Sequence, residues 1–362
     1  MQRRSAMLFD HESFDGHETV VFAKDEASGL SAIIALHSTA LGPAAGGTRL
    51  WRYGSDRDAL GDVLRLSRGM TYKNAMAGLP LGGGKTVILA PDAFRDRRAL
   101  FAALGRAIDR LGGAYWTAED VGVSPADMAA VAAETRFVGG LEAGGLGSGR
   151  YASGDPSPVT ARGVFTCLQV GAKHLWGSRD LSGRRAAVQG LGHVGQHLCH
   201  LLHAAGASLV VSDLDGARTA AVARRYHADV VSPSAIMDQE VDIFAPCALG
   251  GILTAESVPD LSAKLICGAA NNQLADDRAA ELLASSGRLY LPDYIVNAGG
   301  IINVATEILQ IEDPAWLEGK LEGLGTTIKE VILQAEVLDG NTAAVADSIA
   351  RRRIELHDRL AA

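Results

Sequence analysis

The chain has 362 residues, enough for two domains, and its 48% hydrophobic and 21% charged residues can bury a sizeable core. A formal net charge of −8 offers no basic surface for nucleic acid. No apolar stretch approaches the length of a membrane span, and the opening "MQRRSAMLFDHESF" has two arginines with no apolar run behind them, so no membrane segment or signal peptide is expected.

Taken in order, "ETVVFAKDEASGLSAIIALHST" (Glu18 to Thr39) reads as two strands around a turn at Ser28-Gly29. A long helix follows, with Ser55 as its N-cap and Asp58 three residues on. Ala59, Val63, Leu66 and Met70 keep helical spacing, which puts Lys73 on or beside the inward stripe. That lysine either snorkels to solvent or is a buried cation awaiting an anion.

The next stretch, "GLPLGGGKT" (78–86), resembles a phosphate cradle at first sight. A Walker A loop needs Gly, four residues, then Gly-Lys-Ser/Thr. The pair Gly84-Lys85 puts the required first glycine at 79, which is Leu79, so the register fails. Lys85 instead opens the apolar run "TVILA", a buried strand, and the glycines serve close backbone approach or positive φ.

A helix over Asp92 to about Leu111 leads to a strand at Tyr115-Trp116-Thr117. Ser124-Pro125-Ala126-Asp127 begins another helix, with Ser at N-cap, Pro at N1 and acid at N3. Glu119 and Asp120 therefore fall in a strand-to-helix loop, where α/β proteins place chemistry. The glycine-rich passage Val138 to Pro158 reads as a linker between domains.

The second half carries a clearer signal. Gly190, Gly192 and Gly195 fit G-x-G-x-x-G after the strand Ala186 to Gln189, and Asp213 ends the next strand. Strand, helix and acid in that order predict a Rossmann dinucleotide site, and the acid favours NAD over NADP because a 2′-phosphate would meet its charge. Further strands are expected at Val241 to Ala248, Ala263 to Asn272 and Arg288 to Val304. Asn271, Asn272 and Asn297 fall at the strand ends where ligands bind, as polar contacts or as turn residues. From about Ile328 the chain reads as helix, "ARRRIELHDRL" included, and is expected to return to the first domain.

The expected fold is thus α/β with two domains. One is an N-terminal mixed α/β domain for substrate, catalysis and oligomer contacts (1–147 plus about 335–362). The other is a Rossmann domain (148–334). Cys167, Cys199, Cys247 and Cys267 lack CxxC or zinc spacing and suit a reducing cytoplasm. His200 and His203 have no evident partner ligand, and no metal is expected.

Hydride transfer follows from a Rossmann domain, but the fold names no substrate. Lys73, Lys85 and Asp120 narrow the chemistry. A lysine in a cleft binds a carboxylate as a point charge or works in general acid–base steps. Two lysines and one carboxylate suit oxidative deamination of an amino acid.

The chain closely resembles the glutamate, leucine, phenylalanine and valine dehydrogenase superfamily, especially its hydrophobic amino-acid branch. The resemblance covers nearly the whole chain: "LGPAAGGTRLW" (41–51), "GMTYKNAMAGLPLGGGKTVI" (69–88), "TAEDVG" (117–122), "GDPSPVTARGV" (154–164), "VQGLGHVG" (188–195), "FAPCALGG" (244–251), "GAANNQLAD" (268–276) and "PDYIVNAGGIINV" (292–304). It implies that Lys73 holds the substrate carboxylate and that Lys85 activates water. Asp120 would orient and exchange protons with the amine, Asn272 would position substrate and nicotinamide, and Gly46 would line the pocket through its backbone.

Cofactor contacts are expected at Gly190, Gly192, His193, Val194, Gly195, Asp213, Ala248, Asn271 and Asn297. Ala45, Ala118, Ile301 and Val304 form an apolar wall that leaves a glutamate carboxylate unpaired, which is costly. Leucine and its branched relatives are favoured, with phenylalanine as the alternative because Ala45 is small. The products are the 2-oxo acid and ammonia, and a homo-oligomer is implied. A condensation or imine enzyme and a non-catalytic NAD sensor are the rival readings.

Overall fold

The computed structural model describes residues 8–141 and 154–361. Most of the glycine-rich passage expected to be a linker lies outside them. The chain divides into two compact units, Met1–Asp155 with Asn303–Pro314 and Arg352–Ala362, and Pro156–Ile302 with Ala315–Arg351.

The first unit begins with an antiparallel pair, β1 (Thr19–Asp25) and β2 (Leu30–Ser38), joined across Gly29 at φ +79°. β3 (Ala44–Ala45) and β4 (Thr48–Trp51) follow, then α1 (Asp56–Met76). The Ser55 side chain caps α1 by accepting from the Asp58 amide. Its buried face runs through Ala59, Val63, Leu64, Ser67, Thr71 and Ala75, so Leu66 and Met70 lie at the margin of the stripe rather than on it.

β5 (Gly82–Leu89) is buried almost throughout. It pairs antiparallel with β2 and parallel with β3 and β4. α2 (Arg97–Asp109) starts at an Asp96 cap, β6 (Tyr115–Trp116) pairs with β3, and α3 (Pro125–Ala132) opens with the Ser124/Asp127 capping box. The mixed sheet runs β1-β2-β5-β3-β6, with β4 also on β5.

The second unit starts with α4 (Ser157–Trp176), then β7 (Arg185–Gln189), α5 (His193–Ala204), β8 (Ser208–Ser212), α6 (Gly216–Tyr226) and β9 (Asp229–Val230). β10 (Ile243–Pro246), β11 (Leu265–Ile266), α7 (Asp277–Ser285) and β12 (Leu289–Tyr290) complete an all-parallel sheet ordered β9-β8-β7-β10-β11-β12. That order is the doubly wound Rossmann arrangement, with its switch point between β7 and β10.

Two expectations need correction. The run Arg288 to Val304 is a strand only at β12; Pro292 then begins α8 (Asp293–Val296), and α9 (Gly299–Ile308) follows. A continuous apolar run does not distinguish a buried strand from a buried helix, and here helix prevails. The carboxyl-terminal segment also divides differently. α10 (Pro314–Leu338) lies almost wholly in the second unit, where Gly325 faces Thr166 and Val170 of α4 and Leu324 lies against Gly163. A break at Asp339 (φ +48°) and Gly340 separates it from α11 (Thr342–Ala361). Within α11, only the part from Arg352 belongs with the first unit, where Arg353 donates to the Ala75 and Met76 carbonyls.

Candidate active site

The glycines before Lys85 make room for backbone. None of Gly82, Gly83 and Gly84 has positive φ. A Cβ on Gly82 would lie 2.1 Å from the Ser38 carbonyl oxygen, and one on Gly83 would lie 2.1 Å from the Thr71 amide nitrogen. On Gly84 it would meet the Tyr115 ring at 2.7 Å. Strand and helix can therefore close on β5 only without side chains, and a phosphate has no part in it. Asn74 fastens the same point by donating to the Gly82 carbonyl at 2.6 Å.

Lys85 follows directly, buried, with its Nζ 2.8 Å from Asp120 Oδ2. The Asp120 loop is held on the sheet by several contacts. The Thr48 amide donates to the Ala118 carbonyl at 2.8 Å, and the Thr48 and Thr117 hydroxyls meet at 2.7 Å. Tyr115, fully buried, donates to the Gly46 carbonyl at 2.7 Å and accepts from Thr86 at 3.1 Å. A Cβ on Gly46 would strike the Gly84 oxygen at 2.0 Å, which fixes that position as glycine.

One participant was missed from sequence. Arg49, on β4, donates from Nε to Asp120 Oδ2 at 3.1 Å and from Nη1 to Asp62 Oδ2 at 3.1 Å. Its presence in "GGTRLW", a charge inside a short run that reads as strand, was the available signal. Burial alone would raise the Asp120 carboxyl, but the Lys85 ammonium and the Arg49 guanidinium prevail and hold it below the usual carboxylate range. Asp120 is therefore a carboxylate at neutral pH, bound to the ammonium expected to do the chemistry.

Lys73 lies in the last turn of α1, half-buried. Ala45 is fully buried, Ala118 half-buried and Val304 buried. Ala118 and Val304 are brought together: both stand 3.8 Å from where a Gly140 Cβ would be. Gly140 donates its amide to Glu307 at 2.7 Å, which ties α9 to this wall. Gly46, Ala45, Lys73, Lys85, Ala118, Asp120 and Val304 thus belong to one unit; Ile301, Asn272 and the nucleotide residues belong to the other.

In that second unit the glycine turn has the form a dinucleotide needs. Gly190, at φ +94°, packs against Ala248 so closely that a Cβ would lie 2.7 Å from it. A Cβ on Gly195 would lie 2.0 Å from the Gly190 oxygen, so α5 and the turn touch backbone to backbone. Gly192 differs: a Cβ there meets nothing within 4 Å, and as the α5 N-cap it supplies no side-chain cap. Uncapped amides beside open space at a helix N-terminus suit a pyrophosphate. His193 is exposed and Val194 half-buried in the same first turn.

Asp213 sits at the end of β8, accepting from the Leu191 amide at 2.6 Å and the Asp215 amide at 2.8 Å. Those amides overcome the effect of burial and keep it ionised below its usual range. Asn297 donates to Asn271 Oδ1 at 2.9 Å and to the Ala269 carbonyl, while its own buried Oδ1 has no protein partner. Asn272 takes φ +52°, and its carbonyl accepts from Gly251 at 2.7 Å. Among the described residues no three His, Cys, Asp or Glu side chains gather as a metal site, and no helix is long and apolar enough to cross a membrane.

A Rossmann unit in a chain whose other unit carries a buried lysine–carboxylate pair suits a dehydrogenase. The Glu/Leu/Phe/Val dehydrogenase dimerisation domain matches residues 16–137, and the glutamate/leucine/phenylalanine/valine dehydrogenase domain matches 153–221 and 217–334. The chain belongs to this family of amino-acid dehydrogenases. It is 46% identical over 348 residues to the leucine dehydrogenase of Geobacillus stearothermophilus, covering 96% of this chain and 93% of that one. It is also 46% identical to the valine dehydrogenase of Streptomyces virginiae, covering 95% of each. Among solved structures, L-tryptophan dehydrogenase from Nostoc punctiforme superposes with a TM-score of 0.83 at 40% identity, over 95% of this chain and 97% of that one.

Proposed function

We propose that the protein catalyses the reversible, NAD-dependent oxidative deamination of a hydrophobic L-amino acid, leucine and its branched relatives first, to the 2-oxo acid and ammonia. The observation that carries this reading is the 2.8 Å contact between Lys85 Nζ and Asp120 Oδ2, held in the unit that also bears the apolar residues Ala45, Ala118 and Val304. Identity of 46% to a leucine dehydrogenase over nearly the whole chain supports the substrate class.

Lys73 pairs with the substrate carboxylate. Asp120 accepts a proton from the substrate ammonium, so that the amine lone pair can assist departure of hydride from Cα. Lys85, its own proton first released to solvent, takes a proton from the water that adds to the iminium carbon and returns it to the nitrogen; ammonia leaves as the carbinolamine hydroxyl gives its proton to solvent and the carbonyl forms. The bound nicotinamide supplies the hydride acceptor. Gly190, Gly192, His193, Val194, Gly195 and Ala248 cradle the pyrophosphate, Asp213 accepts from the ribose hydroxyls, and Asn271, Asn272 and Asn297 meet the nicotinamide end. The partnerless Asn297 Oδ1 is an acceptor suited to a carboxamide NH₂. Asp213 disfavours a 2′-phosphate, hence NAD rather than NADP. Ile301 completes the apolar wall. The match to a dimerisation domain supports a homo-oligomer, and four free cysteines suit the cytoplasm.

Phenylalanine is the second reading, favoured by the small side chain of Ala45. The test is NADH formation by purified protein from NAD⁺ or NADP⁺ and a panel of L-amino acids: leucine, valine, isoleucine, phenylalanine, tryptophan and glutamate. Turnover led by leucine, with NAD⁺, and lost in Lys85→Ala supports the proposal. Phenylalanine leading selects the second reading, and nucleotide binding without turnover of any amino acid sinks both.

A further inference from the structure

The Asp120 carboxylate has two cationic neighbours, and the reaction proposed above uses only one of them. Lys85 and Arg49 approach the same oxygen, Oδ2, at 2.8 and 3.1 Å. Lys85 must lose and regain a proton during turnover. Each loss removes a positive charge from beside Asp120. A carboxylate that depended on Lys85 alone would gain affinity for a proton whenever Lys85 gave one up, and the two groups would titrate as a coupled pair. The proton would then sit on Asp120 when the substrate amine needs a base.

Arg49 is built differently. Its guanidinium does not deprotonate in proteins, so its charge is permanent. It also spans two carboxylates, donating from Nε to Asp120 and from Nη1 to Asp62. Asp62 is itself fixed: the Tyr53 hydroxyl donates to its Oδ2 at 2.7 Å and Arg65 donates to its Oδ1 at 3.2 Å. The three side chains of this row are mostly covered, with 23% of Arg49, 16% of Asp62 and 20% of Asp120 exposed. Asp62 belongs to α1, the helix that carries Lys73 in its last turn. The row therefore references the direction of the Asp120 carboxylate to the same helix that carries the expected substrate anchor.

We propose that Arg49 is a positioning residue for the deamination, a permanent cation strung between Asp62 and Asp120 that fixes the direction of the catalytic carboxylate and keeps it anionic through the protonation cycle of Lys85. It touches no substrate and transfers no proton. Without it, the Asp120 carboxylate loses one of its two cationic partners, and its direction and charge depend more closely on Lys85. The inference rests on the deamination reading, since it assigns a task to the Asp120 base of that reaction.

The test compares wild type with Arg49→Gln, Arg49→Lys, Asp62→Asn and the Arg49→Gln/Asp62→Asn double variant, with NADH binding and thermal midpoint as checks of folding. For Arg49→Gln, kcat should fall by roughly 10- to 100-fold with KM for the amino acid little changed, the scale of a misdirected catalytic group. The acid limb of its kcat–pH profile should move to higher pH. Arg49→Lys should restore the position of that limb, since charge returns, but only part of kcat, since the fork does not. Asp62→Asn should lower kcat without moving the limb upward, and should add little on top of Arg49→Gln.

An Arg49→Gln enzyme with the wild-type acid limb overturns the proposal, whatever its kcat, because a merely structural role predicts that result. Should Arg49→Gln fail to fold, Arg49→Met replaces it against Arg49→Lys: an acid limb at higher pH in Arg49→Met but not in Arg49→Lys supports the proposal, and the wild-type limb in both, or full kcat in both, overturns it. Wild type inactive on every amino acid defeats the deamination reading instead, so the two failures are told apart.

Discussion

His37 Nδ1 lies 2.9 Å from Thr71 Oγ1, and the same threonine hydroxyl stands 2.1 Å from where a Cβ on Gly83 would be. The imidazole thus backs the contact on which the lysine strand is seated. Burial, then the neighbouring His17, drives its pKa down from 6.5 to about 4, against the pull of Asp15; Arg68 adds to the lowering. The unfolded chain takes up a proton near 6.5, whereas the folded one does so only near 4. Stability from this group is therefore complete above 6.5 and drains away as pH falls from 6.5 to 4. The full loss is on the order of 3 kcal/mol. Urea denaturation at pH 7 and pH 5 should show a smaller difference in His37→Gln than in wild type. An equal difference in both proteins sinks this account.

Two glycines should respond in opposite ways to alanine. Gly83→Ala drives a methyl into the Thr71 backbone and should cost at least ~3 kcal/mol or prevent folding. Gly192→Ala meets open space and should leave stability within about 0.5 kcal/mol of wild type. The added methyl should nonetheless weaken NADH binding at least ~10-fold, about 1.4 kcal/mol. Paired melting curves and NADH titrations check both; unchanged affinity in Gly192→Ala would falsify the pyrophosphate assignment.

Lys85→Met removes the ammonium while Arg49 still holds Asp120. We expect kcat to fall by about 10²- to 10⁴-fold, the range of a lost acid–base group. NADH affinity should be unchanged, because the glycine turn lies in the other unit. Stopped-flow turnover with equilibrium nucleotide binding separates the two effects; a weaker Kd with intact kcat would contradict the assignment.

Val304 fills the space beside Ala118, Gly139 and Gly140. Val304→Ala should shift the phenylalanine-to-leucine ratio of kcat/KM upward by roughly 10-fold, as one or two lost methyls permit. A stability cost of about 1–2 kcal/mol should accompany it. If both substrates decline in proportion, Val304 lies away from the side-chain pocket.

What was legible in the sequence was local. Ser55 and Ser124 announce helices through the spacing of cap and acid, and both caps form. Gly190 and Gly195 keep their spacing because a turn and a helix must touch backbone, which glycine alone permits. Asp120 could be placed in its strand-to-helix loop; Lys85, expected at the mouth of a strand beginning at Thr86, lies inside β5, because the strand starts earlier, at Gly82, and the two side chains do meet. Arg49 could not be read the same way: its partner Asp120 lies 71 positions along the chain, and only folding brings the two side chains together. The run after Arg288 misled because burial on all sides erases the period that separates strand from helix. The division of the carboxyl-terminal helices depended on which neighbour Gly325 admits, and no local pattern records that.

Lys85 and Asp120 are anchored unequally. Lys85 sits opposite Ala35 in a strand bonded to β2 on one side and to β3 and β4 on the other. Asp120 rides on a loop beyond a two-residue strand, beside an exposed Val121, tied to β4 by single backbone contacts at Glu119 and Val121 and to Lys85 and Arg49 through its side chain. In amide-exchange terms the lysine belongs to the slowest-opening part of its unit and the aspartate to one that opens sooner. Warming should therefore silence the enzyme by releasing the aspartate while the sheet beneath the lysine is still intact.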